Sequence, residues 1–224
     1  MGRRATTRHR ARPSIDRDAP RVRDLPKPRK NESAAGGAVQ WIFQWPYRAI
    51  LAVLIRARVR PWHLTVLAVL LNVATGGLIL AGRWLLAGVV LLLAGLCDVF
   101  DGSVARQRGE QKRSGAFLDA VLDRVSDAIL FACLFWALAD DGRRLDAGLA
   151  LFTLVVSLSV SHIRAEAEAV GVGLTEGLFQ RLERFLALML GLMVPGAMTP
   201  VLVVLAVLGA LTAAQRGWAA LVRA

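Results

Sequence analysis

Residues 62–82 hold 21 consecutive positions without a formally charged side chain. A helix of about 20 apolar residues is long enough to cross the hydrocarbon core of a bilayer. The feature recurs in WLLAGVVLLLAGLC at 84–97 and AILFACLFWALA at 128–139, which also carry no charge. A soluble domain of 224 residues, even one 55% hydrophobic, does not need uncharged runs of this length in series. The chain therefore reads as an all-α, polytopic membrane protein.

Six spans are expected, at about 61–82, 84–107, 115–139, 146–169, 177–194 and 199–221. The preceding stretch, VQWIFQWPYRAILAVLIRARVR at 39–60, mixes Trp, Ile and Leu with four arginines. It suits a helix lying in the interface, anchored by Trp41, Trp45 and Tyr47. Pro61 then opens the first span, a position where a missing N–H is tolerated. Linkers at 82–84, 140–146 and 195–199 hold Arg83, Arg143 and Arg144 against Asp140, Asp141 and Asp146. The opposite side collects Arg56, Arg58, Arg60, Arg106, Arg108, Lys112, Arg113 and Arg223. Because cytosolic loops carry the excess of Lys and Arg, both termini are expected in the cytosol.

Residues 1–38 contain eleven Lys or Arg, four Asp or Glu and four of the eight prolines. With so few apolar side chains they are expected to form a disordered cytosolic tail attracted to anionic lipid. The tail has no aromatic side chain on which a base could stack, so nucleic acid is not the expected partner. It does not read as a signal peptide. Cys97 and Cys133 sit in apolar runs and are expected as small buried side chains.

Against this background CDVFDGSVARQRGEQKRSGAFLDAVLDRVSD, residues 97–127, places five aspartates between apolar runs. Helical rise converts spacing into depth. Counted from the non-cytosolic end of each span at about 1.5 Å per residue, Asp98 and Asp101 lie about 22 and 27 Å in, and Asp123 and Asp119 about 26 and 32 Å. On the same scale Arg164 lies about 27 Å in, Arg216 about 24 Å and Arg184 about 17 Å. Acids from two helices and arginines from three others thus converge toward the cytosolic third of a core about 30 Å thick. Each such charge costs at least about 2.5 kcal/mol facing lipid at a helix centre, so they are expected to face one another across a wet cavity.

Asp98 and Asp101 are three residues apart and Asp119 and Asp123 four apart, so each pair shares a helix face. Four inward carboxylates make a cage for hard divalent cations, Mg²⁺ or Mn²⁺; without cations they would repel one another. Two ions could clamp the attacking and leaving oxygens of a phosphoryl transfer. Between the pairs, Gly102 and Ala105 leave clearance beside the helix, and Arg106 can grip phosphate in a bidentate fork. Asp127 continues the carboxylate face but reads as a structural residue pairing with Arg124. The other class of reading, a transporter using the polar layer as a cation pathway, has no need of the Gly102–Arg106 insert.

The segment Asp98-x-x-Asp101-Gly102-x-x-Ala105-Arg106, followed after eight residues by Gly115-x-x-x-Asp119-x-x-x-Asp123, resembles the signature of the CDP-alcohol phosphotransferase family. The resemblance implies a membrane enzyme that moves a substituted phosphoryl group from a CDP-linked lipid to an alcohol and releases CMP. It implies that Asp98, Asp101, Asp119 and Asp123 hold two metal ions and that Asp123 is also the base for the acceptor hydroxyl. It further implies CDP-lipid contacts at Gly102, Ala105, Arg106 and Lys112, and at Trp62, His63, Leu64 and Thr65, where Pro61 and Thr65 reproduce a Pro-x-x-x-Thr pattern. A homodimer is the expected assembly, with 61–224 as the catalytic membrane domain.

SHIRAEAEAVGVGLTEGLFQRLERF, 161–185, resembles the stretch after the fourth span of phosphatidylinositol phosphate synthases. In that light Arg164, Arg184 and Arg216 are expected to bind the phosphate of a phosphorylated alcohol, inositol phosphate first and glycerol 3-phosphate second. The sequence departs from that subfamily at His162 and Glu166, where Tyr and Arg are usual, at Gln180 and Leu182, and at Lys112. Arg181 reads as a surface residue.

Overall fold

The computed structural model describes residues 36–109, 113–173 and 181–223, with side chains except at 36–44, 113, 116 and 181. Most of the expected tail, Lys112 and Gln180 lie outside the described residues, as do the side chains of Trp41 and Arg181. The described residues form seven α-helices and no strand. These are α1 (Gly36–Arg56), α2 (Pro61–Leu80), α3 (Trp84–Arg108), α4 (Arg113–Asp140), α5 (Arg144–Ala169), α6 (Arg181–Met193) and α7 (Met198–Arg223).

Four of them, α2, α3, α5 and α7, are long and apolar enough to cross a membrane. The 28-residue α4 is long enough, but Asp119, Asp123, Arg124 and Asp127 crowd its first half with charge. The described part of α6 has 13 residues, a reach of about 20 Å.

The chain divides into two compact units. The first comprises residues up to Arg60 with Ser103–Glu110, that is, α1 and the last turns of α3. α1 starts three residues before the expected interfacial helix and stops four residues short of its end. It closes with Arg58 at φ +54°, Arg58 N–H bonded to Ile55 O and Val59 N–H to Leu54 O. This is the Schellman closure, with arginine in the seat that glycine usually fills. Trp45 is exposed. The Tyr47 hydroxyl donates to Ser103 Oγ at 2.7 Å and so ties α1 to the last turns of α3.

The second unit holds α2, residues 84–102 of α3, and α4 to α7. Within it α4 packs on α2 and α5, and α7 on α5 and α6. The apolar core gathers at one end. Ile79, Leu91, Leu134, Leu138, Ala147, Ala150, Leu192, Leu202 and Leu205 belong to it, drawn from the halves of their helices nearest the turns at 81–83, 141–143 and 194–197. Each of these turns contains a glycine at positive φ, Gly196 at +80° in the third. Gly82 and Gly142 take positive φ, and the next residue's N–H reaches back to Leu78 O and Leu138 O at 2.9 Å. Arg143 then donates to Asp146 Oδ2 at 2.8 Å and to Thr199 Oγ1 at 3.2 Å, fixing the start of α5 to the start of α7. Buried Thr75, Thr153 and Thr212 return their hydroxyls to carbonyls four residues earlier, so no polar group of theirs is left facing hydrocarbon.

Small residues set how closely the helices approach. A Cβ at Gly95 would come within 2.4 Å of the Phe185 ring, whereas one at Gly148 would meet nothing within 4 Å. Cys133 lies against Gly76, but both Cys133 and Cys97 are only partly buried, not the fully buried side chains expected. Gly95→Val is expected to lower the thermal midpoint of the detergent-purified protein, by about 1–3 kcal/mol of stability. Gly148→Ala is expected to leave it equal or slightly higher.

Candidate active site

At the end of the second unit away from the apolar core, α3 and α4 bring their acids together. Carboxylate oxygens of Asp98, Asp119 and Asp123 lie within 4.8 Å of one another. The helical spacing explains why: residues 98 and 101 on α3, and 119 and 123 on α4, fall on single faces, and those faces meet. Asp119 is exposed, Asp98 and Asp123 are half-buried. Three oxygen donors this close fit a hard divalent cation.

Asp101 stands slightly apart from that trio. It is buried, 7% exposed, and accepts a hydrogen bond from Thr65 Oγ1 at 2.7 Å. Thr65 belongs to the stretch at the start of α2 that the sequence marked. Of its neighbours Leu64 is buried, while Trp62 and His63 are exposed, their rings 4.0 Å apart. Thr65 is thus the member of 62–65 that touches the carboxylate cluster directly among the described contacts.

Gly102 ends the second unit's share of α3 and Ala105 is half-buried in the first. Arg106 is exposed and donates from Nη2 to Ser103 Oγ at 2.9 Å, the same oxygen that Tyr47 reaches. Sequence reasoning missed this Tyr47–Ser103–Arg106 chain, since nothing in residue spacing ties position 47 to position 103.

The arginines divide. Arg184 Nη2 lies 3.5 Å from Asp127 Oδ2, and its Nη1 donates to Ser157 Oγ. Ser157 in turn donates to Asp127 Oδ2 at 3.1 Å. Arg216 Nη1 reaches Val160 O at 3.5 Å. Arg164 is turned along its own helix to Glu168, Nε to Oε1 at 2.8 Å, and both are more than half exposed. Two of the three expected arginines therefore reach the same turn of α5, and the third starts one turn beyond it.

Asp127 does not pair with Arg124, as the sequence suggested. Arg124 instead donates to Ala120 O on its own helix and to Ser161 O at 3.4 Å on α5. The i−3 spacing that made Arg124 look like the partner lost to Arg184, which approaches from another helix with a serine shared between the two charges. Two of the departures, His162 and Glu166, face each other at 3.8 Å on an exposed flank of α5.

Residues 58–222 match the family model for CDP-alcohol phosphatidyltransferase. The chain belongs to that family. The apolar helices, the carboxylate trio and the signature segment are thus those of a membrane-embedded phosphatidyltransferase rather than a cation pathway. The chain is 33% identical over 154 residues to the phosphatidylinositol phosphate synthase of Corynebacterium glutamicum, covering 67% of this chain and 70% of that one. It is 40% identical over 105 residues to an uncharacterised Aquifex aeolicus protein, matching 47% of this chain and 54% of that protein. The crystal structure of Mycobacterium tuberculosis phosphatidylinositol phosphate synthase with CDP-DAG bound superposes with a TM-score of 0.70 at 32% identity, covering 77% of this chain and 92% of that one. The same enzyme is also known in complex with manganese and citrate.

Manganese binding to the purified chain, followed by loss of the free-ion electron paramagnetic resonance signal, should depend on this geometry. Asp119→Asn is expected to weaken it at least about tenfold, and Thr65→Val by about tenfold through the loss of Asp101's orienting hydrogen bond. Thr65→Ser should retain wild-type affinity.

Proposed function

We propose that this chain transfers the phosphatidyl group of CDP-diacylglycerol to inositol phosphate, releasing CMP. The observation that carries the reading is the trio of carboxylates within 4.8 Å at the ends of α3 and α4 where they meet, with arginine-bearing helices beside it. Asp98, Asp101, Asp119 and Asp123 would hold two Mg²⁺ or Mn²⁺ ions, which when bound polarise the diphosphate and lower the pKa of the acceptor hydroxyl.

The chain's own side chains supply the rest. Asp123 takes the proton of the acceptor hydroxyl as its oxygen attacks the lipid-side phosphorus. The new O–P bond forms as the bond to the bridging oxygen of the diphosphate breaks, and CMP leaves with that electron pair. Thr65 holds Asp101 in place at 2.7 Å. Arg106 and Lys112, with Gly102, Ala105 and the 62–65 turn, bind the CDP end of the lipid. Arg164, Arg184 and Arg216 take the acceptor's phosphate, and the exposed Arg164 can leave Glu168 to do so.

α4 and α6 complete six spans with α2, α3, α5 and α7, and α1 lies in the interface. The positive side, and with it the active site, faces the cytosol. Family likeness carries the expectation of a homodimer to this chain. Glycerol 3-phosphate is the second acceptor, since it offers the same pairing of phosphate and free hydroxyl.

Purified full-length protein in vesicles containing CDP-diacylglycerol should release CMP when given inositol phosphate and Mg²⁺ or Mn²⁺, and stop when the cations are chelated. Asp123→Asn is expected to cost at least about 100-fold in rate. CMP release with glycerol 3-phosphate but not inositol phosphate would reassign the acceptor. No metal-dependent release with either would refute the reading.

A further inference from the structure

The triangle of Asp127, Ser157 and Arg184 has no role in the four-carboxylate site, and its placement is unusual. It joins three helices, α4, α5 and α6, through one carboxylate, one hydroxyl and one guanidinium. The side chains of Arg184 and Asp127 are 12% and 22% exposed, and Ser157 is buried. Asp127 lies four residues after Asp123 on the same face of α4, so it holds Arg184 about one helical turn, roughly 5–6 Å along the axis, from the proposed base.

We propose that Asp127 is a positioning residue for the acceptor: with Ser157 it fixes the plane of the Arg184 guanidinium beside the reaction centre. The inference rests on the reading of Arg184 as a phosphate ligand. A guanidinium is a planar fork of five N–H donors. Asp127 forms an ion pair with Nη2 at 3.5 Å, Ser157 accepts from Nη1, and Ser157's own proton goes to Asp127, so each of the three groups constrains the other two. A side chain with four rotatable bonds then has one orientation in which to meet an anion, and the entropy of ordering it is spent before the acceptor arrives. Arg164 illustrates the alternative. Its ion-pair partner lies on its own helix, more than half exposed, and does not link it to a second element.

A pair that only neutralises two buried charges would affect folding and both substrates alike. A positioning pair affects the acceptor selectively. The test is initial-rate CMP release by the full chain, varying inositol phosphate and CDP-diacylglycerol separately. Asp127→Asn is expected to raise the KM for inositol phosphate about tenfold, with the KM for CDP-diacylglycerol and kcat within about twofold. Ser157→Ala, a milder change should the first variant fold poorly, is expected to raise it about threefold, and Asp127→Glu to recover most of the loss. Combined with Arg184→Ala, Asp127→Asn should add less than about twofold, because the two then act through one interaction.

Equal rises in both KM values, or a full Asp127→Asn effect persisting in the Arg184→Ala background, would overturn the proposal. An Arg184→Ala enzyme with unchanged KM for inositol phosphate would overturn both it and the reading of Arg184 as a ligand. If glycerol 3-phosphate proves to be the acceptor, the same variants read against it decide the positioning role, while the choice of inositol phosphate falls separately.

Discussion

Carboxylates repel each other and cost most where water is scarce, so three of them within 4.8 Å on apolar helices dictate how the remainder of the unit is built. The fold answers by separating its two tasks along the helices. One end is a dry plug of Leu, Ile and Ala closed by tight glycine turns and by Arg143, Asp146 and Thr199. The other end carries the acids. A bundle held rigid at its apolar end can leave the other end open to water and ions, because α3 and α4 need no contact there to stay registered. The core positions Leu91 on α3 and Leu134 on α4 belong to the same cluster, so the faces bearing Asp98 and Asp123 are aligned from a distance.

The polar contacts around the acids are directional. Thr65 restrains the buried Asp101, and the shared hydroxyl of Ser103 joins Tyr47 to Arg106. In each case a neutral hydroxyl, not a counter-charge, holds a charged group. Neither hydroxyl neutralises the group it holds, Asp101 in one case and Arg106 in the other. A salt bridge in the same place would have neutralised the group the chemistry uses. Asp127 and Arg184 are the exception, and there the counter-charge sits on the flank of α4 one turn beyond the carboxylate trio.

The all-helical class and the meeting of α3 with α4 were legible because both follow from period and length: uncharged runs near 20 residues, and acids at i, i+3 and i, i+4. What was not legible depends on approach between helices. No spacing rule relates Arg184 to Asp127, 57 positions away, or Tyr47 to Ser103, so local pairing with Arg124 looked natural. Helix ends were blurred for a different reason. Arg58 terminates α1 in a left-handed conformation that a non-glycine residue rarely takes.

The departures from the synthase pattern bear on how an acceptor is chosen. An arginine at 166 would add a cation to the exposed end of α5, but Glu166 pairs with His162 there, and Glu168 faces Arg164 one turn on. The outer rim of α5 is thus less cationic than an arginine at 166 would make it. Deeper along the same helix Arg184 and Arg216 reach Ser157 and Val160. On the proposed reading, an acceptor phosphate passing this rim would meet Arg184 and Arg216 nearer the carboxylates, where its alcohol skeleton would also have to fit. Under the roles proposed for Asp123 and Arg184, affinity and reactivity would coincide in depth: an anion that could not present a hydroxyl to Asp123 while reaching Arg184 would have little to hold it.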